Sequence, residues 1–149
     1  MLVPRPGFPL YEVIAKSHGA QVQPYPLDPN QQWQCDLEAL EQIMTTSTST
    51  AAATIRAMIL TNPSNPTGSV YSRQHLQDIV EFCHRHELIL VADEVYGDLT
   101  FAGHPFTSVA DIPASCEIPI LVTSGLAKQF LLPGWRVGWI VFYDKLRIS

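Results

Sequence analysis

The run Leu88-Ile-Leu-Val-Ala92 is apolar at every position and stops at a carboxylate, Asp93. An unbroken apolar run of this length predicts a strand covered on both faces, because a half-exposed strand would alternate with polar residues. Two further runs share the design. Ala57 to Leu60 leads into Asn62-Pro-Ser-Asn-Pro-Thr-Gly68, and Ile120 to Thr123 leads into Ser124-Gly-Leu-Ala-Lys128. Between the strands ending at Leu60 and Ala92, Leu76, Ile79, Val80 and Cys83 recur at helical spacing after Ser72, a residue suited to cap a helix. Strand, helix and strand, each strand followed by polar residues, predict an α/β fold with a mainly parallel sheet flanked by helices. Ligands in such sheets bind beyond the carboxyl ends of the strands, so the segments starting at Asn62, Asp93 and Ser124 share one candidate site.

Elsewhere the pattern is less regular. Pro4, Pro6 and Pro9 around Gly7 predict an irregular start, followed by an amphipathic helix from Leu10 to His18 that ends at Gly19. Val22 to Tyr25 is a predicted strand. Asp36 is a predicted N-cap for a helix carrying Leu37, Leu40, Ile43 and Met44, after which the Ser/Thr/Ala tract from Thr45 to Thr54 predicts an exposed loop. Val137 to Phe142 predicts a last strand, and no internal repeat is present.

A chain of 149 residues with 46% hydrophobic content suffices for one ordinary core and predicts one domain. Its net charge of -5, with no Lys/Arg cluster, argues against nucleic acid or an anionic membrane as the main partner and favours a small molecule. Cys35, Cys83 and Cys116 are odd in number and form no C-x-x-C pair, so neither a disulfide framework nor a zinc knuckle is predicted. His84 and His86 lie two apart on a predicted helix and face different ways, and no metal is proposed. No apolar run reaches the roughly 20 residues of a membrane span, and the first residues lack the order of a secretion signal. A reducing, cytoplasmic setting is expected.

The chemistry concentrates in a few side chains. Lys128 is one of three lysines and sits among Leu126, Ala127, Phe130, Leu131 and Leu132, neighbours expected to desolvate the amine and favour its nucleophilic form. Arg136 follows eight residues later in Pro133-Gly-Trp-Arg-Val-Gly138, and a planar guanidinium holds a phosphate through two parallel hydrogen bonds. Asp93, at the end of an apolar strand, needs a strong partner, and a protonated ring nitrogen is one. Glu94 points to the opposite face, so the two acids are not an acid/base pair. Asn65 offers an amide to donate to a phenolate oxygen, the Tyr96 phenol falls near the same strand end as Asp93, and Phe8 is a candidate ring to lie flat on a pyridine. Each residue also has an ordinary use: a solvated lysine, an arginine or aspartate in a structural ion pair, an Asx turn at Asn65, core rings at Phe8 and Tyr96. An imine-forming amine, a ring-nitrogen acid and a phosphate-holding guanidinium together point to pyridoxal 5'-phosphate.

With these motifs the chain resembles fold-type I, class I aminotransferases. Gly125-Leu-Ala-Lys128 and Pro133-Gly-Trp-Arg-Val-Gly-Trp139 are similar to the tyrosine aminotransferase branch, and the likeness runs from Val3-Pro-Arg-Pro-Gly-Phe-Pro-Leu-Tyr11 to Trp139. The resemblance implies that Lys128 is the imine-forming lysine and the proton shuttle. It implies that Asp93 partners the pyridine nitrogen, that Asn65 and Tyr96 partner the phenolate, that Arg136 holds phosphate, and that Phe8 stacks on the ring. Many members carry serine three residues before the lysine; this chain has Gly125 there, with Ser124 one position earlier as a further phosphate contact. By the same resemblance residues 1–149 are a partial large domain, without the N-terminal segment and the C-terminal domain whose arginine grips the substrate carboxylate. The full enzyme is then a homodimer acting on amino-acid and 2-oxo-acid substrates, with tyrosine and 2-oxoglutarate expected. Competing readings are a C–S lyase or cyclising synthase on the same cofactor, a non-catalytic fragment, and a nucleotide hydrolase. The last requires a G-x-x-x-x-G-K-[ST] loop that the chain lacks.

Overall fold

The computed structural model describes residues 1–49, 54–113 and 117–144. Cys116 and positions 50–53 of the Ser/Thr/Ala tract lie outside the described residues. Seven strands, β1 (Leu2–Arg5), β2 (Gln23–Asp28), β3 (Gln34–Cys35), β4 (Ala57–Thr61), β5 (Ile89–Asp93), β6 (Ile120–Gly125) and β7 (Gly138–Tyr143), form one sheet. Four helices accompany them: α1 (Leu10–Ser17), α2 (Leu37–Ser49), α3 (Arg73–Arg85) and α4 (Leu126–Gln129). The strand order is β3-β2-β1-β4-β5-β6-β7. The five strands from β2 to β6 are parallel, whereas β3 and β7 join the two edges antiparallel, so the sheet is the mainly parallel one expected.

Helix α3 places Leu76, Ile79, Val80, Phe82 and Cys83 in full burial, over Met58 and Leu60 of β4, Leu90 and Ala92 of β5 and Ile120 of β6. Ser72 caps it as expected, its hydroxyl accepting the His75 amide N–H at 3.1 Å. Asp36 caps α2 in the same way, accepting the Ala39 N–H at 2.9 Å. Gly19 follows α1 with φ +78°, a left-handed turn that a side chain would disfavour.

Three expectations are corrected. The proline-rich start is no irregular segment: Leu2–Arg5 is a strand between β2 and β4, with Leu2 and Val3 buried. Its pairing with β4 is at Leu2 opposite Met58, ahead of the N–H that Pro4 lacks. Residues 45–49 are helical rather than looped. Thr45 and Thr46 return their hydroxyls to the carbonyls of Glu41 and Gln42, at 2.9 and 2.8 Å, and so do not disturb the turn. Finally β5 is not sealed on both faces. Leu90 and Ala92 are buried beneath α3, but Ile89, Val91 and Asp93 alternate with them on a half-buried face. Among the described residues that face meets α1, of which Ala15 alone is buried.

Behind β2 and β3, His75 Nε2 accepts the Cys35 amide N–H at 3.0 Å, which places the ring proton on Nδ1. Burial lowers the pKa of His75, against a smaller opposing effect of Asp78. An unfolded imidazole titrates near ~6.5, so the unfolded chain takes up the proton first. The stability His75 contributes is therefore complete above that pH and is lost as pH falls through the depressed folded value. Denaturant midpoints are expected to drop between about pH 7.5 and 5, and His75→Gln to flatten that drop; an unchanged slope in the variant refutes the assignment.

Candidate active site

Register assembles the site. Thr61 of β4 is paired with Asp93 of β5, which is paired with Thr123 of β6, so the three occupy one face at the carboxyl ends of adjacent strands. Tyr11, in the first turn of α1, reaches across to this face. Its hydroxyl donates to Asp93 Oδ2 at 2.5 Å and accepts from Thr61 Oγ1 at 3.1 Å. The second carboxylate oxygen, Oδ1, accepts the Val95 amide N–H at 3.2 Å. Burial first, and the Asp93 charge second, push the Tyr11 phenol well above its ordinary range and keep it a donor. Phe8 stands edge-on to Tyr11, with ring centres 5.6 Å apart and planes at 79°. In the turn before Phe8, Gly7 is required because any Cβ there would strike the Pro4 carbonyl.

Glu94 turns to the other side, as predicted from strand alternation. It is buried, and its Oε1 accepts the Val109 N–H at 2.7 Å at the start of a short helical turn, Val109–Asp111. Burial raises its carboxyl pKa and that amide partly offsets the rise. One acid is thus held at the open strand end and the next is sealed within the core.

Lys128 lies on α4, directly after β6, and its Nζ stands 5.4 Å from the centre of the Tyr96 ring. An ammonium at that distance from a ring face is attracted by its quadrupole. This contact joins the β6–α4 loop to the segment following Asp93. Of the neighbours expected to cover the amine, Leu126, Ala127 and Leu132 are half-buried, whereas Phe130 and Leu131 are 56% and 73% exposed. Leu131 has φ +54°, which turns the chain and carries these side chains outward.

Asn65 and Tyr96 line one cavity of about 510 Å³ together with Trp33, Val70, Phe101 and His104. Asn62 braces the segment around Asn65 by accepting the Tyr71 N–H at 2.9 Å. Ser124 occupies the half-buried end of β6 opposite Trp139. Arg136 is exposed, at φ +54°, and its Nη1 donates to the Pro133 carbonyl at 3.2 Å. The structure therefore brings Phe8, Asp93, Tyr96 and Lys128 to neighbouring strand ends, while the Arg136 guanidinium is turned onto its own loop. Tyr11 and Thr61 escaped the sequence reading. Tyr11 lies 82 residues from Asp93, and their meeting follows from strand order rather than from any local motif.

Gly125 and Gly138 face each other where β6 and β7 end. A Cβ at Gly125 would lie 2.9 Å from the Val137 oxygen and 3.1 Å from Gly138 Cα. The backbone here is extended, so crowding rather than dihedral strain requires glycine. The same approach lets the Leu126 N–H donate to the Val137 carbonyl at 3.1 Å, tying the Lys128 helix to the chain that follows Arg136. Gly125→Ser is expected to destabilise by about 1–3 kcal/mol through overpacking. Denaturant melts compared with Gly125→Ala measure it, and an unperturbed midpoint in both variants contradicts the crowding argument.

A mainly parallel sheet thus brings a lysine, an aspartate and a phenol to neighbouring strand ends. The family model for aminotransferase class I and II matches residues 1–147, and the chain belongs to that family. Tyrosine aminotransferase of Bos taurus is 44% identical over 145 residues, which are 97% of this chain and 30% of that protein. Tyrosine aminotransferase of Dictyostelium discoideum is 43% identical, over 97% of this chain and 33% of its own length. The crystal structure of tyrosine aminotransferase from Leishmania infantum matches with a TM-score of 0.87 at 38% identity, covering 99% of this chain and 34% of that one. The chain spans about a third of the length of the relatives it matches. Among the described residues no helix is long and apolar enough to cross a membrane.

Proposed function

We propose that residues 1–149 form part of the large domain of a pyridoxal 5'-phosphate-dependent aminotransferase. It moves the amino group of an aromatic amino acid, tyrosine foremost, to a 2-oxo acid such as 2-oxoglutarate. The observation that carries this reading is the Lys128 amine 5.4 Å from the Tyr96 ring centre, on the loop after the strand paired with that of Asp93. Membership of the aminotransferase family and likeness to two tyrosine aminotransferases support it. In this reading the complete enzyme is a homodimer, and the cysteine pattern favours a reducing, cytoplasmic setting.

The residues suit the cofactor. Each Asp93 oxygen receives one hydrogen bond, which leaves lone pairs for a protonated ring nitrogen. Asn65 and Tyr96 supply an amide and a phenol from one cavity wall, matching the needs of a phenolate. Arg136 and Ser124 are the phosphate ligands in this reading, and Phe8 is the stacking ring. When bound, the cofactor supplies an electron sink for charge developing at the substrate Cα. Lys128 would hold the cofactor through its amine and would move the proton at the substrate Cα. Asp93 keeps the ring nitrogen protonated, so that the negative charge has somewhere to go.

Added cofactor is expected to give a visible absorbance band that Lys128→Ala abolishes, with turnover lowered on the order of a thousandfold. An identical band in the variant would remove Lys128 from the site. Tyrosine with 2-oxoglutarate should yield the oxo acid without free ammonia; ammonia release would instead mark elimination.

A further inference from the structure

Asp93 is held from both sides before any ligand arrives. Tyr11 donates to Oδ2 at 2.5 Å and the Val95 amide to Oδ1 at 3.2 Å, so the carboxylate plane is fixed by two donors at two oxygens. The Thr61 hydroxyl, 3.1 Å from the Tyr11 oxygen, donates into it and commits the phenol proton to Asp93. Thr61 is buried at 4% exposure and paired in register with Asp93, so this relay is built into the sheet rather than laid on its surface. Phe8 braces the Tyr11 ring from its edge.

We propose that Tyr11 is a positioning residue for Asp93: with Thr61 behind it, the phenol keeps the carboxylate aimed at a protonated ring nitrogen. The inference rests on the reading of Asp93 as the ring-nitrogen partner. Tyr11 acts through Asp93 and needs no contact with the cofactor. Two donors spread across both oxygens fix the carboxylate plane, and a carboxylate held in plane makes the better-aligned hydrogen bond to a ring N–H. Freed from the phenol, Asp93 would rotate about its side-chain bonds, and the N–H would meet a less well placed acceptor.

The test measures affinity of the full chain for pyridoxal 5'-phosphate and for its analogue in which C–H replaces the ring nitrogen, read by absorbance titration. Tyr11→Phe is expected to weaken binding of the natural cofactor by about tenfold, the scale of one hydrogen bond to a charged group, and to change analogue binding less than about twofold. Thr61→Val, which keeps the phenol and the side-chain shape, should show the same selectivity at a few-fold. Should Tyr11→Phe weaken both ligands equally, its role is merely structural and the proposal falls. A double-mutant cycle with Asp93→Asn adds a second check: in that background Tyr11→Phe should cost almost nothing further. Full additivity overturns the proposal alone, because Asp93→Asn still weakens the natural cofactor. If wild type binds both ligands equally and Asp93→Asn changes neither affinity, the role of Asp93 falls and Tyr11 falls with it.

Discussion

Packing of the α3 apolar stripe against β4, β5 and β6 fixes how these strands align, and the alignment places every candidate group. Leu76, Ile79, Val80, Phe82 and Cys83 are fully buried against the sheet. Burying each large apolar side chain is worth about 1.5–3 kcal/mol, whereas exposed ion pairs such as Arg85–Glu41 contribute about 0–1 kcal/mol. Hydrophobic contact therefore decides the register, and the ion pairs follow it. A slip of one residue would carry Asp93 to the helix-covered face and expose Leu90 and Ala92.

Two neighbouring carboxylates show what that alignment accomplishes. Asp93 and Glu94 are consecutive, yet strand alternation sends them to opposite faces. Asp93 meets a phenol and a backbone amide at the open end of the sheet, and Glu94 meets the Val109 amide in a dry interior. Burial raises the pKa of Glu94, whose service is to the loop that starts at Ser108. The same chemical group thus stands at the open strand end or serves as a structural brace according to its face.

Local sequence was enough for the helices whose caps and apolar period agree. Ser72 with the α3 stripe and Asp36 with the start of α2 were legible because each cap bonds an amide within three residues. The first strand was not legible, since its prolines mimic a loop and its stability comes from partners at Gln23 to Pro26 and at Met58. Residues 45–49 misled for the opposite reason: the tract lacks apolar period, but the hydroxyls of Thr45 and Thr46 close onto the preceding turn. The apolar neighbours of Lys128 were counted as its cover, and the turn at Leu131 directs Phe130 and Leu131 elsewhere.

By itself the sequence determined the alternation of strands and helices and the polar groups ending each strand, and it singled out Lys128, Asp93, Tyr96 and Asn65 as candidates. Those signals are local: a period, a cap or a short motif constrains atoms within a few residues of each other. Tertiary structure alone decided that Tyr11 and Thr61 stand against Asp93, that Glu94 is sealed away, and that Gly125 must yield its side chain to the Val137 carbonyl. Each of these depends on which strands lie side by side, a choice made by burial summed over the whole sheet and written in no single segment.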